Sequence, residues 1–135
     1  MTDDSTAELD AFFASYREAY TNLDLEAVLD HYNVPLLSVT AGELYWLTTS
    51  EELESVMGAY LDTLADGDYD HGEIDAMSYH RLSERDVIAS SAWTRYTTDG
   101  DVFERLGTAY LCRRTDDGWR IVALVLHDPG TAIVG

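Results

Sequence analysis

The spacing of apolar residues changes once along this 135-residue chain, near residue 73, and that change constrains the fold more than any other feature. Before it, apolar residues recur every three or four positions, as on one face of an amphipathic helix. After it, they form strand-like runs separated by short turns. Helices followed by a run of strands predict an α+β fold, with the helices packed on one face of a curved, mainly antiparallel sheet.

Three helices are predicted in the first half of the chain. Residues 7–23 form the first, and Asp24 is a suitable N-cap for a shorter second helix that Pro35 ends. The third helix begins at a capping box that opens with Thr49, and Gly67 ends it.

Six strands are predicted around and after these helices. Two short ones lie in the stretch PLLSVTAGELYWL, on either side of a turn at Ala41–Gly42. The four longer strands cover about residues 73–83, 86–97, 103–115 and 119–127. Their connecting turns are short, so consecutive strands should pair as an antiparallel meander. No linker or repeat interrupts the pattern, and we expect one domain over residues 1–135.

The chain is strongly acidic, with 26 Asp and Glu against 8 basic residues and a net charge of −18. This composition resembles that of proteins from extreme halophiles, since near 1 M salt the Debye length falls to about 3 Å and self-repulsion is screened. Without a basic patch to meet phosphates, nucleic acid is not an expected partner. Because no apolar signal segment or membrane-length apolar run occurs, we expect a cytoplasmic protein without a membrane partner.

The sequence predicts neither a metal site nor a cofactor. Asp66, Asp68 and Asp70 alternate as at the start of a calcium loop, but His71 stands where such a loop needs glycine. A solvated acidic loop is therefore the preferred interpretation. The four histidines lack ligand spacing, and no phosphate-binding or dinucleotide motif is present. Cys112, the only cysteine, lies in an apolar run and is predicted to be a buried core residue.

The last predicted strand, in the sequence DDGWRIVALVLHDPG, is apolar on both faces. Strict alternation places Ile121, Val125 and His127 on one face and Leu124 on the other. A sheet face in contact with water should carry alternating polar residues, so something should cover the second face as well. His127 then either points into a pocket or makes a structural hydrogen bond at the end of the strand.

The turn before this strand decides which residues share a face with His127. In the sequence TDDGW, a three-residue loop with Gly118 in the left-handed conformation would pair Thr115 with Trp119. The residues that then join His127 are Arg105, Gly107, Ala109 and Leu111. A two-residue loop selects instead Leu106, Thr108, Tyr110 and Cys112. We favour the first register, which predicts a cavity beside small residues, with Arg105 and His127 near its rim.

Two segments carry a resemblance to a known family: FFASYREAYTNLDLEAVLDHYNVP near the start and YLCRRTDDGWRIVALVLHD near the end. The first combines an aromatic-rich helix, an Asp-Leu turn and a proline-bounded strand. The second is a hairpin with Gly-Trp, a basic residue and an aliphatic residue. Together they resemble the nuclear transport factor 2-like superfamily, which includes SnoaL-like cyclases and ketosteroid isomerases. The resemblance implies a cone of helices and curved sheet, and a homodimer through the outer sheet face.

The resemblance also bears on single residues. Tyr16, eight residues before Asp24, matches the position of the oxyanion-hole tyrosine of ketosteroid isomerases. The position of their catalytic aspartate falls on Thr40 in an ungapped count, and the nearest carboxylate onward is Glu43. Because threonine cannot serve as that base, steroid isomerase chemistry is disfavoured.

Two functions are compatible with these features. The first is a dimeric, non-catalytic module that binds a small apolar or aromatic molecule, and the missing carboxylate favours it. The alternative is an isomerase, dehydratase or cyclase, in which His127 acts as acid or base while Tyr16 and Arg105 hold an oxygen of the substrate. The residues expected to contact the ligand in either case are Tyr32, Tyr60, Trp93 and Arg105.

Overall fold

The computed structural model describes residues 3–40 and 43–128. Helices and strands follow one another along these ranges. The helices are α1 (Asp3–Thr21), α2 (Leu25–Leu29) and α3 (Ser50–Asp66). The strands are β1 (Tyr32–Val39), β2 (Leu44–Leu47), β3 (Tyr69–Arg81), β4 (Asp86–Thr97), β5 (Val102–Thr115) and β6 (Gly118–His127).

The six strands form one sheet in the order β2-β1-β6-β5-β4-β3. Strands β3 to β6 pair as the predicted antiparallel meander, and β1 pairs antiparallel with β2. The β1 strand also pairs in parallel with β6, which joins the first half of the chain to the end of the meander. The helices cover one face of this sheet, which we call the inner face, and the opposite face is the outer face. The predicted α+β fold is confirmed.

The helix ends depend on the predicted capping groups. The Asp24 carboxylate accepts a hydrogen bond of 3.2 Å from the backbone N–H of Ala27 at the start of α2. At the start of α3, the Thr49 hydroxyl accepts one of 3.2 Å from the backbone N–H of Glu52. The backbone N–H of Gly67 closes the last turn of α3. These local signals explain why the helix boundaries are predictable from sequence.

Two predicted boundaries are wrong by several residues. The second helix ends at Leu29 rather than just before Pro35, and Tyr32 already belongs to β1, where it pairs with Ile121 of β6. Part of the expected acidic loop is strand, since β3 begins at Tyr69, whose buried ring packs against Phe103 with 6.3 Å between ring centroids. The predicted turn at Ala41–Gly42 lies outside the described residues.

A hydrophobic core fills the space between the helices and the inner face. Its largest fully buried side chains are Phe13, Leu9, Leu36, Leu64, Ile121, Val28, Val87 and Cys112. The predicted burial of Cys112 is confirmed, and burial raises the pKa of its thiol to about 12, so little reactive thiolate exists at neutral pH. Along the described part of the chain, no helix combines the length and the apolar character needed to cross a membrane.

The turn between β5 and β6 departs from the favoured register. Thr115 lies opposite Gly118, so the loop has two residues instead of three. Gly118 has a φ of 103°, which its missing Cβ allows. The Thr115 hydroxyl donates a hydrogen bond of 2.8 Å to the Gly118 carbonyl and accepts one of 3.2 Å from the backbone N–H of Asp117. These bonds stabilise the shorter loop.

A β-bulge at Val122 then shifts the pairing along β6. Cys112 lies opposite Ile121, whereas Leu111 lies opposite Ala123, which leaves Val122 as the extra residue. Side chains along β6 alternate between the two faces of the sheet. Because of the inserted residue, the odd-numbered positions face the helices before Val122 and the even-numbered positions face them after it.

The bulge places His127 on the outer face. Ile121 before the bulge and Leu124 after it are both buried on the inner face. Val125 and His127 consequently point outward, and Val125 is 39% exposed. The prediction that Ile121 and His127 share one face is wrong, because strict alternation does not survive an inserted residue.

His31, just before β1, is a buried histidine with two hydrogen bonds. Its Nδ1 lies 2.7 Å from the carbonyl oxygen of Ala27, so this nitrogen carries a proton and donates it. Its Nε2 lies 3.1 Å from the Ser15 hydroxyl and accepts from it, which suits the neutral ring. Burial lowers the pKa of His31, and the hydrogen bond to Ala27 opposes that effect only in part.

We expect His31 to make the protein less stable in mild acid. Its folded-state pKa lies below the unfolded value of about 6.5, so its contribution is complete above that value and is lost as the pH falls through the folded pKa. Urea unfolding in molar KCl at a series of pH values should show this loss, reduced in His31→Gln and retained in a variant of the exposed His80, His80→Gln. Equal pH dependence in the wild type and His31→Gln would contradict this role.

Candidate functional site

A cavity of about 200 Å³ lies between the inner face of the sheet and the helices α1 and α3. Its buried lining includes six aromatic residues, Tyr16, Tyr20, Tyr32, Tyr69, Trp93 and Tyr110, beside Ser38, Met57, Thr108 and Leu124. Other lining residues are partly exposed, among them Thr40, Tyr45, Val56, Tyr60 and Leu126. These partly exposed residues mark where the cavity approaches solvent.

Three tyrosine hydroxyls form a hydrogen-bonded chain in this cavity. The hydroxyl of Tyr32 lies 2.6 Å from that of Tyr16 and 2.6 Å from that of Tyr20. Tyr16 and Tyr20 are four residues apart and share one face of α1, while Tyr32 comes from the start of β1. We call these three residues the tyrosine chain.

The tyrosine chain has one proton to spare. Three hydroxyls carry three protons, and the two hydrogen bonds within the chain use two of them. The third is directed from Tyr20 towards the sulfur of Met57, at 3.9 Å. A thioether is a weak acceptor, so a ligand oxygen in the cavity would be a better partner for this proton.

Burial keeps these hydroxyls protonated. It raises the pKa of Tyr16 and of Tyr32 well above the usual value for tyrosine, and it also raises the pKa of Tyr20 and of Tyr110. The four groups therefore act at neutral pH as hydrogen-bond donors rather than as bases. A ligand carbonyl that accepts a hydrogen bond from them would be polarised, while the tyrosines would keep their protons.

Arg95 on β4 supplies buried positive charge at the cavity wall. Its side chain is 11% exposed, and its Nη1 lies 2.5 Å from Oε1 of Glu104, whose side chain is 44% exposed. The guanidinium group also lies 5.1 Å from the centroid of the Tyr60 ring. Burial opposes the charge, but Tyr60 and Glu104 outweigh that effect and raise the pKa of Arg95. Arg95 is therefore fully charged at neutral pH.

Arg17 on α1 is a second arginine that lines the cavity. Its Nε donates a hydrogen bond of 2.9 Å to the carbonyl oxygen of Gly72, which ties α1 to β3. Among the described residues, neither Asp nor Glu lines the cavity. The cavity walls are thus positively charged, although the whole chain carries a net charge of −18. Within residues 3–40 and 43–128, no cluster of three His, Cys, Asp or Glu side chains could hold a metal ion.

The structure brings four of the six predicted site residues together. The residues that line the cavity are Tyr16, Tyr32, Tyr60 and Trp93. Arg105 does not line it: this residue is exposed and alternates along β5 with Leu106, which faces the cavity. His127 does not line the cavity either, because the bulge in β6 turns it to the outer face.

His127 lies over β5 at Gly107. A Cβ at Gly107 would come within 2.4 Å of the imidazole Cε1, so the missing side chain makes room for the ring. The Nδ1 of His127 donates a hydrogen bond of 2.8 Å to the carbonyl oxygen of Asp128, which is the structural alternative of the two predicted placements. The predicted cavity beside Gly107 and Ala109 is wrong. The cavity side of β5 carries the other set, with Leu106, Thr108 and Tyr110.

The cavity residues that sequence reasoning misses include Tyr20, Arg95 and Tyr110. Tyr20 follows Tyr16 by one helical turn, and Arg95 follows Trp93 by two residues on one strand, so both periodicities were available as signals. Tyr110 lies on the opposite face of β5 from Gly107 and Ala109, which pair with His127 and Val125 as in the favoured register. For Arg95 and Tyr110, the missing information was which face of the sheet the helices cover.

Comparison with protein families and solved structures agrees with this architecture. Residues 7–129 match the family described as NTF2-like protein (DUF6841). No curated protein matches the chain. An NTF2-like protein of unknown function from Shewanella oneidensis is 18% identical with a TM-score of 0.75, over 92% of this chain and 99% of that one.

Two further solved structures are similar. One is a protein of unknown function with a cystatin-like fold from Nostoc punctiforme, 15% identical with a TM-score of 0.79, over 99% of this chain and 98% of that one. The other is Aln2 from a Streptomyces species, 17% identical with a TM-score of 0.77, over 94% of this chain and 92% of that one. At these identities the solved structures show the fold, while the family match includes both segments that carry the resemblance. The chain therefore belongs to the nuclear transport factor 2-like (NTF2-like) superfamily, in the family DUF6841.

Proposed function

We propose that this protein binds a small, mostly apolar molecule in its cavity and leaves it chemically unchanged. The observation that carries the proposal is the tyrosine chain in a cavity whose lining is otherwise largely apolar. Such a site offers apolar contact and one directional hydrogen bond. Its volume of about 200 Å³ is below the roughly 300–1,000 Å³ of pockets for drug-sized ligands, which favours a molecule of one or two rings.

Binding without reaction is favoured by the protonation states of the buried groups. A general base works best with a pKa near the working pH. The buried tyrosines keep their protons and Arg95 keeps its charge, as their raised pKa values require. These groups can hold and orient an oxygen atom, and the proposed function needs no more than that.

The hydroxyl of Tyr20 is the test of the binding mode, since its proton points to the weak acceptor Met57. We expect Tyr20→Phe to weaken binding of methyl naphthyl ketone about 2- to 12-fold, the effect of losing a hydrogen bond with a net value of about 0.5–1.5 kcal/mol. The substitution removes the hydroxyl that would donate to the ketone oxygen and leaves the ring in place. Isothermal titration calorimetry in molar KCl measures the change.

Tyr96→Phe is the matched control, because Tyr96 stacks on His71 and lies outside the cavity lining. Its affinity for the ketone should equal that of the wild type. Equal affinities of the wild type and Tyr20→Phe would show that the tyrosine chain does not bind the ketone oxygen.

A homodimer through the outer face is the second part of the proposal. Leu37, Val39, Leu44, Trp46, Ala123 and Val125 lie side by side on β1, β2 and β6 and form what we call the outer strip. Leu44 is 71% exposed and Trp46 is 59% exposed. Exposed apolar side chains that adjoin one another on a sheet are typical of an interface.

Charge favours a second copy as the occupant of the outer strip. The chain has 26 acidic residues, and none of them belongs to the strip. Two copies that approach with acidic surfaces bring like charges together, whereas the uncharged strip can pair with itself about a two-fold axis. Screening of the remaining charge explains why we expect the dimer to be more stable in molar salt than in dilute buffer.

A further inference from the structure

We infer that the molecule bound in this cavity carries a carboxylate, and that Arg95 receives this carboxylate in place of Glu104. This assignment rests on the proposed function and adds to it the chemical class of the ligand and the residue that selects it. Its first support is the charge of the site. Two of the 8 arginines line the cavity, whereas none of its described lining residues belongs to the 26 acidic ones.

The guanidinium group of Arg95 is suited to a further acceptor. It has five N–H donors in a planar fork, which matches the two oxygens of a carboxylate. Nη1 bonds to Glu104, and the ring of Tyr60 lies under the group at 5.1 Å. The Tyr60 hydroxyl is a second acceptor for this group, and two acceptors do not use all five N–H donors of the fork. Arg17 also lines the cavity and adds positive charge. Neither Asp nor Glu is among the described residues of the cavity lining.

Glu104 is a partner that can be exchanged. Its side chain is 44% exposed and can return to water, whereas the Arg95 side chain is 11% exposed and cannot. A buried guanidinium left alone is strongly unfavourable, so whatever displaces Glu104 must itself be an anion. A carboxylate on the ligand meets this condition. A neutral ligand would leave the pair of Arg95 and Glu104 intact and gain nothing from Arg95.

Two probes of nearly equal shape separate these cases: naphthoate, which is an anion, and methyl naphthyl ketone, which is neutral. In about 1 M KCl, where the net negative charge of the protein is screened, naphthoate should bind about 10-fold more tightly than the ketone, because the one bond from Arg95 to Glu104 is replaced by a bidentate pair. Arg95→Gln should remove this preference, so that naphthoate binds to this variant no more tightly than the ketone does.

Glu104→Gln should change the affinity for naphthoate in the direction opposite to Arg95→Gln. It keeps Arg95 and removes the competing carboxylate, so naphthoate should bind several-fold more tightly than to the wild type. Arg113→Gln is the matched control, because Arg113 pairs with Asp86 at 3.7 Å on an exposed part of the sheet outside the cavity. Its preference for naphthoate should equal that of the wild type.

The outcomes distinguish the two proposals. If neither probe binds in the cavity, both the proposed function and the role of Arg95 fail. If the ketone binds there and naphthoate binds no more tightly, only the carboxylate assignment fails. Should Arg95→Gln not fold, Glu104→Gln still decides, since unchanged or weaker binding of naphthoate to this variant overturns the assignment.

Discussion

Replacing Phe13 with alanine should lower the free energy of unfolding by about 3–5 kcal/mol, the range for removing a buried phenylalanine ring. Phe13 is buried where α1 meets the sheet. Its ring centroid lies 5.0 Å from that of Tyr110 and 6.0 Å from that of Tyr16. Because these two tyrosines form part of the cavity wall, the loss should also loosen the binding site.

Phe12→Ala is the matched control for this change. Phe12 is the neighbouring residue on α1 and is only partly buried, so its removal should cost less than half as much. Urea unfolding in molar KCl, monitored by circular dichroism, compares the two variants. Equal losses of stability would show that α1 does not pack on the sheet through Phe13.

Replacing Trp46 with aspartate should dissociate the proposed dimer. An aromatic residue at the centre of an interface contributes about 2 kcal/mol or more, and a two-fold interface contains it twice, so the dissociation constant should rise about a thousandfold. The new carboxylates would also repel each other across the uncharged outer strip. Analytical ultracentrifugation in molar KCl should find a dimer for the wild type and a monomer for Trp46→Asp.

Leu82→Asp separates loss of the interface from a general effect of charge. Leu82 is 51% exposed, similar to Trp46, but it follows β3 in the turn to β4 and is not part of the outer strip. The same added charge should leave this variant dimeric. A monomeric wild type, or equal dissociation of both variants, would rule out a dimer through the outer strip.

The parts of the fold that sequence predicts are those fixed by local chemistry. Asp24 and Thr49 bond to backbone groups three residues away, so the starts of α2 and α3 follow from neighbouring residues alone. Tyr16 reaches the site because the helical stripe of α1 places it there. Such signals need no knowledge of what the rest of the chain does.

The position of His127 could not be predicted, because it depends on one inserted residue. Val122 is chemically like its neighbours, and nothing in the run IVALVL marks it as the bulge. The single shift reverses which residues of β6 face the helices. Arg95 is a similar case: its distance of two residues from Trp93 is visible, but its place in the cavity depends on which sheet face the helices cover.

The three tryptophans provide the most direct measurement of whether the cavity is the binding site. Trp93 lines the cavity, where its indole N–H donates to the Ser91 hydroxyl, Trp46 lies on the outer strip, and Trp119 donates to Glu8. Titration with naphthoate, followed by the indole N–H signals in nuclear magnetic resonance spectra, should shift the signal of Trp93 and leave the other two in place. A shift of Trp46 or Trp119 alone, or no shift at saturating ligand, would contradict binding in the cavity.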